Sequence, residues 1–132
     1  MAYKDSRGSV KRHTAHKTIL VVEDDDSIGD LLVDVLSQET PYEAVLVTDG
    51  FQALEAVTTM KPNLFITDYR LPYMDGIELY DRLHAAKELE NVPVLLISAY
   101  PPMREIQKRK LISMTKPFEL DDLLDTVERL LA

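Results

Sequence analysis

The chain has 132 residues, 45% of them apolar, with no cysteine and a formal charge of -8. That length and composition fit one ordinary globular domain with a real core and argue against global disorder. They exclude disulfides and thiolate chemistry, and no apolar run is long enough to span a bilayer. The first residues, MAYKDSRGSV, lack the apolar core of a signal peptide, so a cytoplasmic location is the default.

Charge is unevenly placed. Residues 1 to 17 hold five basic residues, Lys4, Arg7, Lys11, Arg12 and Lys17, against Asp5, whereas the remainder holds 10 basic and 22 acidic residues. With no apolar period, residues 1–17 read as a disordered basic tail on an acidic body, residues 18–132. The acidic body would repel phosphate, so it is not expected to bind nucleic acid. The tail suits an anionic partner, the body itself, or no specific role.

TILVV (18–22) reads as a buried strand, broken by EDDDS. Ile28, Leu31, Leu32, Val35 and Leu36 then recur at helical spacing, with Asp26 or Ser27 available as a cap. A short strand near 43–47 leads into a helix from about Gly50 to Met60 that uses Phe51, Leu54 and Val57. NLFIT is a third strand, ending at Asp68, and LPYMDG is a turn in which Pro72 stiffens the chain and Gly76 permits unusual backbone geometry. A helix from about Ile77 to Leu89 follows, then VPVLLIS (92–98), whose continuous apolar run suits a central parallel strand. KLISMT reads as a fifth strand, and residues 119–131 as a closing helix. Five βα repeats with short connections imply a parallel sheet covered by helices on both faces.

In such sheets, chemistry collects beyond the carboxyl ends of the strands. There the sequence puts Glu23, Asp24 and Asp25 after strand one, Asp68 at the end of strand three, Ser98 and Ala99 after strand four, and Thr115, Lys116 and Pro117 after strand five. An acid after a strand also caps the next helix, which is the favoured reading for Asp25 and Asp26. Clustered carboxylates repel unless a cation sits among them. With oxygen ligands only, and the body's single histidine, His84, on a helix away from the rim, the ion is Mg²⁺, or Mn²⁺ in its place. A cation and a lysine beside one carboxylate prepare it to attack phosphorus and become an acyl phosphate. Tyr69, Tyr73 and Tyr100 are either contact residues or partly exposed rings.

These motifs, ILVVEDD, ITDYRLPYMDG, LLISAY and TKPF, closely resemble the receiver domain of bacterial two-component response regulators over residues 18–132. The resemblance implies a flavodoxin-like doubly wound (βα)5 fold with a parallel five-stranded sheet of order 2-1-3-4-5. It implies that Asp68 is the phosphoacceptor, that Glu23, Asp24, Asp68 and the backbone carbonyl of Arg70 hold the metal, and that Ser98 and Lys116 receive the phosphoryl oxygens. It also implies a cis Lys116–Pro117 bond and tuning of the site by Arg70 and Tyr100. The implied partners are a histidine kinase or histidine phosphotransfer protein and a downstream protein target, within a phosphorelay. The protein would then catalyse its own Mg²⁺-dependent phosphorylation and dephosphorylation without being a conventional enzyme.

The sequence departs from the family twice. AYPPMREIQKRKLISMTKPF is short between Ser98 and Lys116, so helix four should be short, displaced or partly mobile. Ser113 stands three residues before the lysine, where the family carries its switch aromatic, so the output surface lacks that ring. A non-phosphorylated receiver-like binding module is therefore the alternative. A phosphatase-like hydrolase is a third, but it wants an acid two residues after the nucleophile, where Arg70 stands. Dimerisation stays open. No output domain follows Leu131, which leaves a single-domain regulator or a fragment.

Overall fold

A computed structural model of the chain describes residues 17–109 and 111–132, and before them only the backbone pairing of Tyr3–Lys4 with Val10–Lys11. The expectation of a disordered tail over 1–17 lies almost entirely outside the described residues. Lys17 itself belongs to the body: its carbonyl accepts from the Glu43 N–H at 3.0 Å, and its ammonium donates to the Leu131 carbonyl at 2.6 Å.

Five strands and five helices alternate: β1 Thr18–Val22, α1 Asp26–Glu39, β2 Glu43–Val47, α2 Gly50–Ala56, β3 Leu64–Asp68, α3 Gly76–His84, β4 Val94–Ser98, α4 Met103–Arg109, β5 Ile112–Thr115 and α5 Leu120–Leu131. Within this five-stranded sheet all strand pairs are parallel, and it runs β2-β1-β3-β4-β5, the doubly wound order 2-1-3-4-5. Side chains alternate across the sheet. Ile19, Val21, Ile66 and Ile97 pack with Leu36 of α1 and Leu123 and Val127 of α5. Leu20, Val22 and Phe65 face the other way, onto Ala53 of α2 and Leu79 and Leu83 of α3. Among the described residues, no buried side-chain polar atom lacks a hydrogen-bond partner, so neither core layer hides a site.

Several boundaries differ from the sequence reading. Asp25 caps α1, as its favoured reading had it, the carboxylate accepting from the Ile28 N–H at 3.1 Å, whereas Asp26 and Ser27 lie within the helix. α2 stops at Ala56 instead of Met60, because the Thr58 and Thr59 hydroxyls bond back to the carbonyls of Glu55 and Ala56. α3 ends at His84; a separate 3-10 turn, Lys87–Leu89, carries Leu89 into the core. β4 begins at Val94, since Pro93 has no N–H to pair. β5 begins at Ile112 and leaves out Leu111, while Lys110, where the sequence reading opened the strand, lies outside the described residues; α5 begins at Leu120. α4 has seven residues, as short as its charged sequence implies.

Amphipathic spacing also overstated two buried stripes. Phe51 is exposed, and α2 buries Gly50 and Ala53 instead. Ile28 and Leu31 of α1 are exposed, bordering a groove of about 650 Å³ beside Lys116, Phe118 and Leu120.

Candidate functional site

Register brings the strand-end residues together. Val22 pairs with Thr67, so Glu23, the residue after Val22, lies beside Asp68. Asp68 pairs with Ile97, and Ser98, next along β4, pairs with Thr115. The ladders run one step beyond the strands: the Tyr69 N–H donates to the Ile97 carbonyl at 2.9 Å and the Lys116 N–H to the Ser98 carbonyl at 2.9 Å. Four βα junctions thus converge on one rim.

The acids divide into two sets. Asp25, Asp49 and Asp75 cap α1, α2 and α3, accepting from the N–H three residues on. Such caps are worth about 1 kcal/mol each. Glu23, Asp24 and Asp68 cap nothing; each offers a carboxylate oxygen, and those oxygens lie within 4.8 Å of one another. Glu23 is buried, with one oxygen accepting from the Asp25 N–H at 3.1 Å. Burial pushes the carboxyls of Glu23 and Asp68 up, with their acidic neighbours adding to it, against the pull of Lys116. Three carboxylates with no other kind of donor fit a hard, oxygen-preferring divalent ion and no soft one.

Lys116 Nζ lies 2.9 Å from Asp68 Oδ1. Burial alone would lower its pKa, but the ion pair with Asp68 outweighs that and holds the ammonium above its ordinary range. Next to this pair is a cavity of about 110 Å³ lined by Asp68, Arg70, Ser98, Ala99, Tyr100 and Lys116. The buried Ser98 Oγ accepts from the Tyr100 N–H at 3.0 Å, leaving its own hydrogen to donate. The Tyr100 side chain is 82% exposed at the rim. The Lys116–Pro117 peptide bond is cis.

Ser113 is not brought to the rim. It sits within β5 opposite Leu96, two residues before the strand's last residue. His84 is remote too, its ring nitrogens 3.2 Å from the Tyr80 carbonyl and 3.0 Å from the Val92 carbonyl.

One residue that shapes the site escaped the sequence reading, and a second was read for the wrong reason. Thr67 is a hydroxyl in a buried strand, and it donates to the Asp68 carbonyl at 3.0 Å. A lone polar residue in an apolar run was the available signal. Gly76 is needed for space rather than for unusual backbone angles, since a β-carbon there would meet the Asp68 carbonyl oxygen at 2.7 Å. The left-handed residue of this loop is Tyr73, with φ 75°.

The family model of the response regulator receiver domain matches residues 19–128. The chain belongs to that family. This receiver is 35% identical over 120 residues to sporulation initiation phosphotransferase F of Bacillus subtilis, covering 88% of this chain and 94% of that one. It is 32% identical to a stretch of the sensor histidine kinase TmoS of Ectopseudomonas mendocina, of which it spans 12%. Among solved structures, the signal receiver domain of a histidine kinase from Syntrophus aciditrophicus is 30% identical with a TM-score of 0.77, over 87% of this chain and 89% of that one. A receiver domain of a Pseudomonas aeruginosa sensor histidine kinase, with a magnesium ion coordinated in its active site cleft, is 25% identical with a TM-score of 0.75, over 89% and 98%. No helix among the described residues is long and apolar enough to cross a membrane.

Proposed function

We propose that this receiver takes a phosphoryl group onto Asp68 from the phosphohistidine of a histidine kinase or histidine phosphotransfer protein and thereby switches a protein-interaction surface. The observation that carries the reading is the Asp68–Lys116 pair, 2.9 Å apart beside a 110 Å³ cavity that also has Ser98 on its wall. An Asp68 carboxylate oxygen attacks phosphorus, the phosphorus–nitrogen bond breaks, and the imidazole departs with the electron pair and takes up a proton. The product is an aspartyl phosphate. Lys116 offsets charge on one phosphoryl oxygen, and the Ser98 hydroxyl donates to another. Water attack on phosphorus later returns the carboxylate and releases inorganic phosphate.

Glu23, Asp24 and Asp68 would hold Mg²⁺, joined in the family pattern by the Arg70 carbonyl. When bound, the ion supplies positive charge to the phosphoryl oxygens and relieves the repulsion among the three acids. Arg70 and Tyr100 line the cavity and tune the access of water. The groove bordered by Ile28, Leu31 and Leu120 opens beside Glu23 and Lys116, which supports docking of the phosphodonor there. A relative named as a phosphotransferase, and matches within histidine kinases, support a place in a phosphorelay.

The test is the intact mass after incubation with a small phosphodonor. The expected result is one added phosphoryl that requires Mg²⁺ and is absent in Asp68→Asn. If neither the adduct nor Asp68-dependent consumption of the donor is seen, the non-phosphorylated binding module takes its place. The short α4 and the serine at position 113 are what favour that second reading.

A further inference from the structure

α4 has little apolar hold on the body. Of its seven residues only Ile106 is buried, against Ile77 and Leu96, with Tyr69 and Leu111 packed at the edge of that cluster. Ser113 is the register partner of Leu96 and shares its face of the sheet, so β5 offers a hydroxymethyl group beneath α4 rather than a ring.

Polar contacts do more at the far end of the helix. Arg109 Nε and Nη2 donate to the two carboxylate oxygens of Asp81 on α3, at 2.7 and 2.9 Å. Its Nη1 donates to the Glu105 carboxylate at 2.7 Å and to the Glu105 carbonyl at 3.1 Å. The Tyr80 hydroxyl donates to the Arg109 carbonyl at 3.3 Å. The Arg109 side chain is 20% exposed and that of Asp81 52%, so this is a surface ion pair whose strength lies in its two-pronged geometry.

The near end of α4 starts at the site. Ala99 and Tyr100 line the cavity beside Asp68, and Pro101 and Pro102 join them directly to Met103. Two prolines make a stiff connection. Tyr69, the residue after the acceptor, touches the cluster that holds Ile106. A group bound in the cavity would lie against the start of this connection, whose far end Arg109 ties to α3.

We propose that the Arg109–Asp81 fork is a latch that holds α4 against α3 and opposes phosphorylation of Asp68. Linkage makes the opposition reciprocal: opening the latch raises the phosphorylated fraction, and phosphorylation loosens the latch. The coupling rests on the reading of Asp68 as acceptor, whereas the latch itself does not.

The experiment is hydrogen exchange of the Met103–Arg109 amides in the full chain, wild type and Asp81→Asn, at low and high salt. It is paired with intact-mass measurement of the phosphorylated fraction at a limiting concentration of small phosphodonor. Exchange in α4 is expected to rise up to about fivefold in Asp81→Asn, the upper end for loss of a surface ion pair with two-pronged geometry, with α5 and β1 unchanged. Salt should narrow the gap between wild type and variant, moving the variant less because it keeps only the Glu105 pairs with Arg109 and Lys108, and the variant should carry several-fold more phosphoryl. Equal exchange rates that salt does not alter would overturn the latch. Faster exchange with an unchanged phosphorylated fraction would overturn its coupling to Asp68. A wild type that takes no phosphoryl from the donor overturns the reading of Asp68 and with it the coupling, and the exchange rates still decide the latch.

Discussion

A β-carbon on Gly76 would stand 2.7 Å from the carbonyl oxygen of Asp68 and 3.1 Å from the α-carbon of Tyr69. The first turn of α3 therefore lies directly on the backbone that carries the Asp68 carboxylate, and the Gly76 N–H donates to the Tyr69 carbonyl at 2.8 Å. Backbone cannot yield as a flexible side chain would. Gly76→Ala should cost about 1–3 kcal/mol of stability, the usual penalty for overpacking. It should also slow phosphorylation of Asp68, because the added methyl pushes on the acceptor's own residue. Urea unfolding and the time course of the intact mass measure the two effects. Unchanged values in both would mean that α3 and β3 separate more easily than their packing implies.

Lys116 is the one cation at the rim within hydrogen-bond distance of Asp68 among the described residues. Lys116→Met keeps the length of the stem and removes the charge. Phosphorylation from a small donor should fall roughly a hundredfold, the scale seen when a preorganised donor to a developing oxyanion is removed. Binding of Mg²⁺ should tighten, since the cluster then has one positive charge fewer and repels the ion less. Titration of the metal against thermal stability separates the two outcomes.

Most of the fold was legible because each strand was a short apolar run closed by an acid or a turn, and each helix carried a repeating stripe. The candidate site was legible for a related reason: Glu23, Asp24, Asp68, Ser98 and Lys116 all stand where a strand ends, and parallel register aligns strand ends. The width of a stripe was not legible. Ile28, Leu31 and Phe51 keep the helical period yet lie at the border of the buried face, and only the neighbouring elements decide how far that face extends. Nor was the Arg109–Asp81 fork, because it joins residues 28 apart in two helices whose relative placement no local pattern encodes. The left-handed backbone at Tyr73 was concealed by Gly76, the usual marker for such geometry, standing three residues further on.

Asp24 and Asp25 are adjacent and should behave oppositely. Asp25 caps α1, so Asp25→Ala should lose about 1 kcal/mol with or without Mg²⁺. Asp24 belongs to the three-carboxylate cluster and makes no cap. Mg²⁺ that binds only the folded chain should stabilise the wild type by about 2.7 kcal/mol at a hundred times its dissociation constant. Asp24→Asn should lose most of that gain, and Asp25→Ala should keep it. Denaturant melts with Mg²⁺ and with a chelator test the pair; a gain that survives in Asp24→Asn would remove that residue from the ion's ligands.

Acid should open the α3–α4 contact in a way that can be assigned to Asp81. The Arg109 guanidinium, hydrogen-bonded to it, holds the Asp81 carboxyl below the ordinary carboxylate range, and the charges of His84 and Lys108 act in the same direction. Glu105, which shares Arg109, is lowered for the same reason, with Lys108 also contributing. A carboxyl whose pKa is lowered by folding adds stability that is fully present above its unfolded value and is lost as pH falls through its folded value. The stability gap between wild type and Asp81→Asn should therefore hold from neutral pH down to about pH 5, since the unfolded carboxyl titrates near 4. It should then close as the pH falls further. Urea unfolding of both proteins across that range gives the gap directly, and the carboxylates that do not share Arg109 cancel in the difference. A gap that stays constant to pH 2 would mean that the Asp81 charge does not hold the fork together. A gap that is already closing between pH 7 and 6 would put a group other than Asp81 in control of the contact.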